Sequence, residues 1–171
     1  MIRSTILSLM ATGILFLTGC AGYKLGPVKP TELAHIETLA VPTFLNDTLE
    51  PRISVMVTNQ VIKTLQNDGS YKVASLENAD AVMRGRIEVI DRRQARGART
   101  EVLRTRELEV TVNIQFAIEH AETGAVLSKG VSRGHSTVFL DPNFQLSERQ
   151  AIQKASEEAA RRLVSSISEG F

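Results

Sequence analysis

Alternating apolar and polar side chains dominate the middle of the chain and predict three long β-strands. Over residues 81–89 the apolar side chains recur at every second position. The same period of two returns over residues 108–118, which is typical of an antiparallel strand with one wet face. A third strand is predicted over residues 126–140, where small residues occupy one face and larger ones the other, and the pattern leaves open which of the two is buried.

A period of three to four residues predicts two amphipathic helices on either side of these strands. The first is expected over residues 48–68, with N-capping side chains at 46–48 and Asp68-Gly69 at its end. The second is expected to begin at a capping box formed by Ser147 and Gln150 and to end near Glu169. Short strands are predicted at 36–41 and 71–75.

This order of elements predicts a two-layer α/β sandwich. A mostly antiparallel sheet of four to five strands is expected to pack against two helices, since neither layer can bury its apolar side alone. The late strands have about a dozen residues each, which corresponds to ~40 Å at ~3.3 Å per residue. The helices are shorter, so we expect a long hairpin between the strands to project beyond the sandwich.

Residues 1–19 have the layout of a secretory signal, with a charge at Arg3, a short apolar run and small residues before a cut. The run is well short of the ~20 residues that a membrane-spanning helix needs. Leu17-Thr18-Gly19-Cys20 resembles the bacterial lipobox, which implies a covalent lipid on Cys20. Ala21, in place of an aspartate, favours the outer membrane. The alternative is an ordinary secreted protein with a cysteine near the cut.

We therefore divide the chain into a signal peptide (1–19), a lipidated N-terminus and tether (20–33) and a single α/β domain (34–171). Removal of the signal leaves 152 of the 171 residues, with 19 basic and 19 acidic side chains. This balance argues against nucleic-acid binding. Cys20 is the only cysteine, so the core must stabilise the fold without an intrachain disulfide.

Residues 92–106 carry six arginines against a single acid, Glu101, with Gly97 placed for a chain reversal. Guanidinium groups form paired hydrogen bonds with phosphate or carboxylate. One interpretation is therefore an anion-binding hairpin tip, and the other is a solvated loop that protects a strand edge. The six residues are Arg92, Arg93, Arg96, Arg99, Arg104 and Arg106.

No other stretch indicates catalysis. His35, His120 and His135 are widely separated and lack the spacing of metal ligands. There is no nucleophile elbow and no glycine-rich phosphate loop. We expect neither an enzyme nor a cofactor beyond the covalent lipid.

Several short motifs along the chain resemble the lipopolysaccharide-assembly lipoprotein family, LptE. They comprise residues 18–23 around Cys20, the strand at 36–41 followed by Pro42 and Phe44, Asn46-Asp47-Thr48, Ala79-Asp80-Ala81 with Gly85, and the turn at 139–143. The resemblance implies a two-helix, four-stranded sandwich at the periplasmic side of the outer membrane. It also implies a plug in the β-barrel translocon LptD that helps the barrel assemble and binds lipopolysaccharide through basic residues near the hairpin tip.

Carried onto this chain, that binding role falls on the arginine cluster, above all Arg96 and Arg99. Family members can also carry a basic residue before the last helix, but residues 140–148 have none here. Arg133 or Arg149 would have to replace it. Alternatively, the chain is a periplasmic lipoprotein that activates a cell-wall synthase or serves a secretion pore. Such a protein would bind a protein partner through another face, and not a lipid phosphate through the arginines.

Overall fold

The computed structural model describes residues 29–95, 107–139 and 143–169, which form a sheet with two helices on one face. In chain order the elements are β1 (Thr38–Ala40), β2 (Leu45–Asn46), α1 (Ile53–Asp68), β3 (Lys72–Val73), β4 (Ala81–Ala95), β5 (Glu107–His120), β6 (Val126–Phe139) and α2 (Phe144–Ser168). Short 3-10 helices at Thr31–Leu33 and Leu76–Asn78 lie in the connections. The predicted α/β layout with two helices is confirmed.

The sheet is mixed, so the prediction of a mostly antiparallel sheet is wrong. Its strand order is β3-β1-β4-β5-β6, and β2 pairs with β4 beside β1. β1 runs parallel to β3 and to β4, and β2 runs parallel to β4, whereas β4, β5 and β6 are antiparallel neighbours. Helix α1 lies between β1 and β3, and a helical crossover returns the chain in the same direction. Periodicity shows that a strand exists but not which way it runs.

The two helices cover the face of the sheet that the alternating pattern marks as apolar, which we call the inner face. Helix α2 packs on β5 and β6 and against α1. Its predicted apolar stripe is buried, as are the inner-face side chains of β5. These buried residues are Ile152, Ala155, Ala159, Leu163 and Ile167 on α2 and Leu108, Val110, Val112, Ile114, Phe116 and Ile118 on β5. The opposite side of the sheet, which we call the outer face, carries the polar side chains.

An irregularity in β4 reverses the alternation partway along the strand. Ile87 is paired with Ile114, but Val89 is already paired with Asn113, so Glu88 is the extra residue of a bulge. Val89 is consequently 42% exposed, and Ile90 takes the buried position. The prediction that Val89 shares the buried face of Ile87 is therefore wrong.

The small residues of β6 form its buried face, which answers the question that the sequence left open. Ser132, Gly134 and Ser136 are buried against α2, while Lys129 and Arg133 are exposed. A Cβ atom on Gly134 would overlap the backbone of Ala155 and Ala159, and the Ser132 hydroxyl donates to the Ala159 carbonyl at 2.7 Å. Small side chains thus let strand and helix approach closely.

Both helices start at positions other than those predicted. Helix α1 begins at Ile53 and not at 48, because Asn46 and Thr48 form a local turn in which Asn46 Oδ1 accepts from the Thr48 backbone and hydroxyl. Helix α2 begins at Phe144, and its N-cap is Asn143, whose side chain accepts from the Leu146 N–H. Both helices end as predicted, at Asp68 and Ser168.

The chain just before β1 packs on the core, although residues 20–33 are predicted to form a tether. Leu33 is fully buried. The Lys29 ammonium lies 4.2 Å from the centre of the Tyr71 ring and donates to the Ile36 carbonyl. The Tyr71 hydroxyl in turn donates to the Ile167 carbonyl near the end of α2, at 2.7 Å.

The start of β1 is held by one carboxylate. Asp80 Oδ2 accepts the backbone N–H groups of Glu37 and Thr38 at 3.0 and 2.8 Å. Hydrogen bonds from Thr38 and then from Glu37 lower the pKa of this carboxyl. Asp80 therefore joins β1 to the start of β4, a role that the sequence did not predict.

Candidate functional site

The arginine cluster begins at one end of the sandwich, where Ala95, Glu107 and Phe139 are the paired ends of β4, β5 and β6. We call this the hairpin end. Of the six predicted binding residues, the structure describes Arg92 and Arg93. Arg96, Arg99, Arg104 and Arg106 lie outside the described residues, as do Cys20 and the expected projecting part of the hairpin.

Arg92 and Arg93 lie on opposite faces of the sheet. Before the bulge, Arg84 and Arg86 occupy the outer face, and the extra residue shifts the alternation so that Arg93 is outer and Arg92 is inner. Arg92 is paired with Val110, and Arg93 with Glu109. The two arginines therefore have different surroundings although they are adjacent in the chain.

Arg92 joins the starts of both helices to β4. Its Nη2 lies 2.8 Å from Glu50 Oε1, just before α1, and its Nε donates to Glu148 Oε1 in the first turns of α2. The Arg92 side chain is 36% exposed and that of Glu148 is 21% exposed, so the ion pairs are only partly screened by solvent. Sequence reasoning missed both carboxylate partners because they are 42 and 56 residues away.

Arg93 lines a groove of about 560 Å³ on the outer face. Three strands form this groove: β4 contributes Glu88 and Asp91 in addition to Arg93, and β6 contributes Arg133. The central strand β5 forms its floor with four polar side chains, Glu109, Thr111, Asn113 and Gln115. The sequence marked these β5 positions as a wet face, but it could not show that Arg93 and Arg133 border the same groove.

Two other arginines of the outer face, Arg84 and Arg86, form ion pairs. Arg84 lies 2.8 Å from Glu119, and Arg86 lies 2.9 Å from Asp47. The hydrogen bonds that the Arg86 guanidinium donates to the Asp47 carboxylate raise the pKa of Arg86. Arg149, the other residue considered for a second lipid contact, is exposed on α2 and does not border the groove.

Two further properties of the described part of the chain concern metal binding and membrane crossing. Within residues 29–95, 107–139 and 143–169, no group of histidine and carboxylate side chains is arranged to hold a metal ion. Over the same residues, neither helix combines the length and the apolar character that crossing a membrane requires.

Solved structures of several bacterial proteins share this fold. A minor lipoprotein from Acinetobacter baumannii has a TM-score of 0.54 at 12% identity, covering 78% of this chain and 94% of that one. A neuraminyllactose-binding hemagglutinin homolog from Helicobacter pylori has a TM-score of 0.56 at 10% identity, covering 86% and 93%. A protein from Xanthomonas campestris has a TM-score of 0.55 at 12% identity, covering 81% and 85%. At these identities the likeness shows the fold alone.

The family assignment comes from a separate comparison. No curated protein sequence matches the chain. The model of the LptE family, described as lipopolysaccharide-assembly, matches residues 36–167, a span that runs from just before β1 to the end of α2. The chain therefore belongs to the LptE family of lipopolysaccharide-assembly lipoproteins, a non-enzymatic family.

Proposed function

We propose that this protein is a lipid-anchored component of the outer membrane, on its periplasmic side, that binds lipopolysaccharide through the arginines of residues 92–106. It acts as the plug and assembly partner of an LptD-like β-barrel translocon. The observation that carries this proposal is the LptE family match over residues 36–167, which includes the whole arginine segment.

The proposed anchor is the lipid on Cys20, after removal of residues 1–19. In this arrangement residues 20–33 connect the lipid to the domain at 34–171, and the last part of that connection packs on the core through Lys29 and Leu33. A single acyl chain holds a protein at a membrane only marginally, so stable anchoring requires more than one chain. Cys20→Ala should yield protein that membranes no longer retain. Unchanged processing and unchanged membrane retention of that variant would contradict the anchor.

The proposed lipid contact is the arginine segment. Arg93 carries its guanidinium on the outer face at the hairpin end, and Arg96, Arg99, Arg104 and Arg106 follow it in the chain. A hydrogen bond to a charged group is worth ~1.5–3 kcal/mol before solvent screening. Arg92 is engaged with Glu50 and Glu148, so its part in the proposal is to hold the base of this segment.

The binding test is a titration of purified protein lacking the lipid with lipopolysaccharide at two salt concentrations. Arg96→Asp with Arg99→Asp should weaken binding at least tenfold, because the attraction to phosphate becomes repulsion. Lysine at both positions should restore part of the affinity, because charge returns without the paired geometry. Binding of the unchanged protein should fall as salt rises.

The matched control changes the same number of charges elsewhere. Lys154→Asp with Arg161→Asp alters two exposed basic residues of α2 and should leave binding within about twofold, a small change on the affinity scale. Equal losses in both double variants would indicate a response to net charge alone. Unchanged binding in the Arg96 and Arg99 double variant would refute the site.

The partner is tested in cells. Depletion of this protein should lower the amount of correctly assembled LptD-like barrel in the outer membrane, and the barrel should co-purify with the tagged lipoprotein. Unchanged barrel levels together with altered cell-wall synthesis would instead support a cell-wall synthase activator.

A further inference from the structure

The outer-face groove has the composition of a site for an uncharged polar ligand. Three carboxylates, Glu88, Asp91 and Glu109, line it together with two guanidinium groups, Arg93 and Arg133. The acids outnumber the bases, so the groove as a whole does not favour a phosphate group. The described carboxylates also form no group that could hold a metal ion. A small anion and a cation are therefore both poor candidates.

The floor of the groove includes a buried side-chain oxygen, Asn113 Oδ1. Asn113 Oδ1 is buried, and no hydrogen-bond partner for it is found within the described residues. Leaving a buried acceptor without a donor costs free energy, so such an atom requires an explanation. Asn113 occupies the central strand, paired with Val89 on one side and Arg133 on the other, so it lies in the middle of the groove. Rotation of the Asn113 side chain towards the groove would let a ligand hydroxyl donate to this oxygen.

Both donors and acceptors line the groove around that atom, and two of these side chains already bond to each other, since Gln115 Nε2 donates to Glu88 Oε1. Arg93 and Arg133 provide only donors, the carboxylates provide only acceptors, and Thr111 provides both. Hydroxyl groups also act as both donor and acceptor, so neighbouring hydroxyls of one ligand can bond to both kinds of side chain. Val131, which is 52% exposed, adds an apolar surface at the edge of the groove. A sugar ring has this combination of hydroxyl groups and apolar C–H faces.

We propose that the groove binds the saccharide portion of a glycolipid, with Asn113 and Arg133 as its central contacts. The volume of about 560 Å³ lies within the ~300–1,000 Å³ typical of small-ligand sites. This inference rests on the proposed function in one respect, namely that the glycolipid is lipopolysaccharide. The arginine segment beyond Arg93 then takes the phosphate groups, and the groove takes neutral sugars along the outer face.

The probe is the core oligosaccharide released from lipopolysaccharide and dephosphorylated, so that it carries neither acyl chains nor phosphate. Binding is measured by saturation-transfer NMR and by amide chemical-shift changes, using the protein without its lipid. The unchanged protein should show contacts that map to β4, β5 and β6 around Asn113. Asn113→Ala with Arg133→Gln should weaken binding at least tenfold, because two hydrogen-bonding side chains are lost.

A matched control lies on the same face and the same strand. Lys129→Gln with Thr137→Ala changes two exposed residues of β6 that do not line this groove, and it should leave binding unchanged. Arg133→Gln alone supplies a second variant that alters only an exposed side chain, in case loss of Asn113 disturbs the sheet. It should weaken binding several-fold. Equal binding by all variants would overturn the proposal.

Different results would contradict the arginine-segment proposal and the groove proposal. Arg96→Asp with Arg99→Asp should abolish most binding of intact lipopolysaccharide and leave oligosaccharide binding unchanged. If intact lipopolysaccharide still binds that variant normally, the proposed function fails while the groove stands. If the groove variants bind oligosaccharide normally but no longer co-purify with the barrel, the outer face is a protein interface and the saccharide site is wrong.

Discussion

The backbone N–H of His135, on the edge strand β6, donates to Glu158 Oε2 on α2 at 2.8 Å. In an edge strand such an N–H points away from the sheet and would otherwise be open to another strand. Burial raises the pKa of Glu158, but the hydrogen bond from His135 and the charge of Arg162 outweigh burial and lower it. The carboxylate is therefore ionised at neutral pH and covers the middle of a 14-residue edge.

Loss of this cover should make the protein self-associate. In Glu158→Ala the His135 N–H and its neighbours along β6 become available for pairing with a second copy, so we expect concentration-dependent oligomers in sedimentation experiments. Glu157→Ala is the matched control, since it removes the same charge one position away, where the Glu157 carboxylate accepts a hydrogen bond from the Gln153 side chain on the same helix. Monomeric Glu158→Ala would show that the edge needs no such cover.

Because β6 packs closely on α2, adding one methyl group to a buried glycine of β6 should strongly lower the free energy of unfolding. In Gly134→Ala the new Cβ meets the backbone of Ala155 and Ala159, which cannot rotate away, so the free energy of unfolding should fall by about 3 kcal/mol. In Gly130→Ala the Cβ lies 2.9 Å from the Phe116 ring, which can move, and the loss should be about 1 kcal/mol. Denaturant unfolding measures both, and equal losses would contradict the packing argument.

Arg92 should stabilise the fold more than its neighbour. Exposed ion pairs are worth ~0.2–1 kcal/mol each, so Arg92→Gln, which loses two, should lower the free energy of unfolding by about 1 kcal/mol. The loss should shrink at high salt. Arg93→Gln is the control, with an expected change near zero, and the comparison is made by denaturant unfolding at two salt concentrations. A larger loss for Arg93→Gln would reverse the assignment of roles.

Because of Tyr71, the free energy of unfolding should fall at alkaline pH. Burial, and then the charge of Asp68, raises the pKa of its hydroxyl from the ordinary 10.0 to about 12. The folded state thus favours the neutral form, which gives a stabilising contribution that is complete below pH 10 and is lost as the pH rises through 12. Between these values the free energy of unfolding should fall more steeply in the unchanged protein than in Tyr71→Phe.

At neutral pH, Tyr71→Phe should itself cost about 1 kcal/mol, because the hydrogen bond to the Ile167 carbonyl is lost. Unfolding experiments across the alkaline range measure both effects. Parallel pH profiles for the two proteins would contradict the assignment of the raised pKa to Tyr71.

The periodic parts of the fold could be predicted from the sequence because they depend on local spacing. The apolar stripe of α2 from Ile152 to Ile167 and the alternation along β5 reflect the burial of one face of each element. Strand direction and the buried face of β6 could not be predicted, since Gly134 is buried for its lack of volume and not for its hydrophobicity. The alanines of α2 opposite it were a usable signal, because small residues on both partners indicate close packing.

The candidate site, too, could be predicted from the sequence only in part. The density of arginines is visible in the sequence, but the separation of Arg92 from Arg93 depends on the bulge at Glu88. With uninterrupted alternation, Arg92 would share the outer face with Arg84 and Arg86. One inserted residue therefore decides which guanidinium turns towards the helices, and no local pattern predicts the bulge.

The two helices run in the same direction, because Arg92 joins their beginnings and the Ser168 hydroxyl donates to Asp68 at their ends, at 3.0 Å. Each helix carries a macrodipole equivalent to roughly half a positive charge at its N-terminus. Aligned side by side, the dipoles add, so the hairpin end is electropositive beyond what its ionised side chains provide. The domain is thus polarised along its length, and an anionic molecule approaching in solution experiences a directional field from the backbone itself.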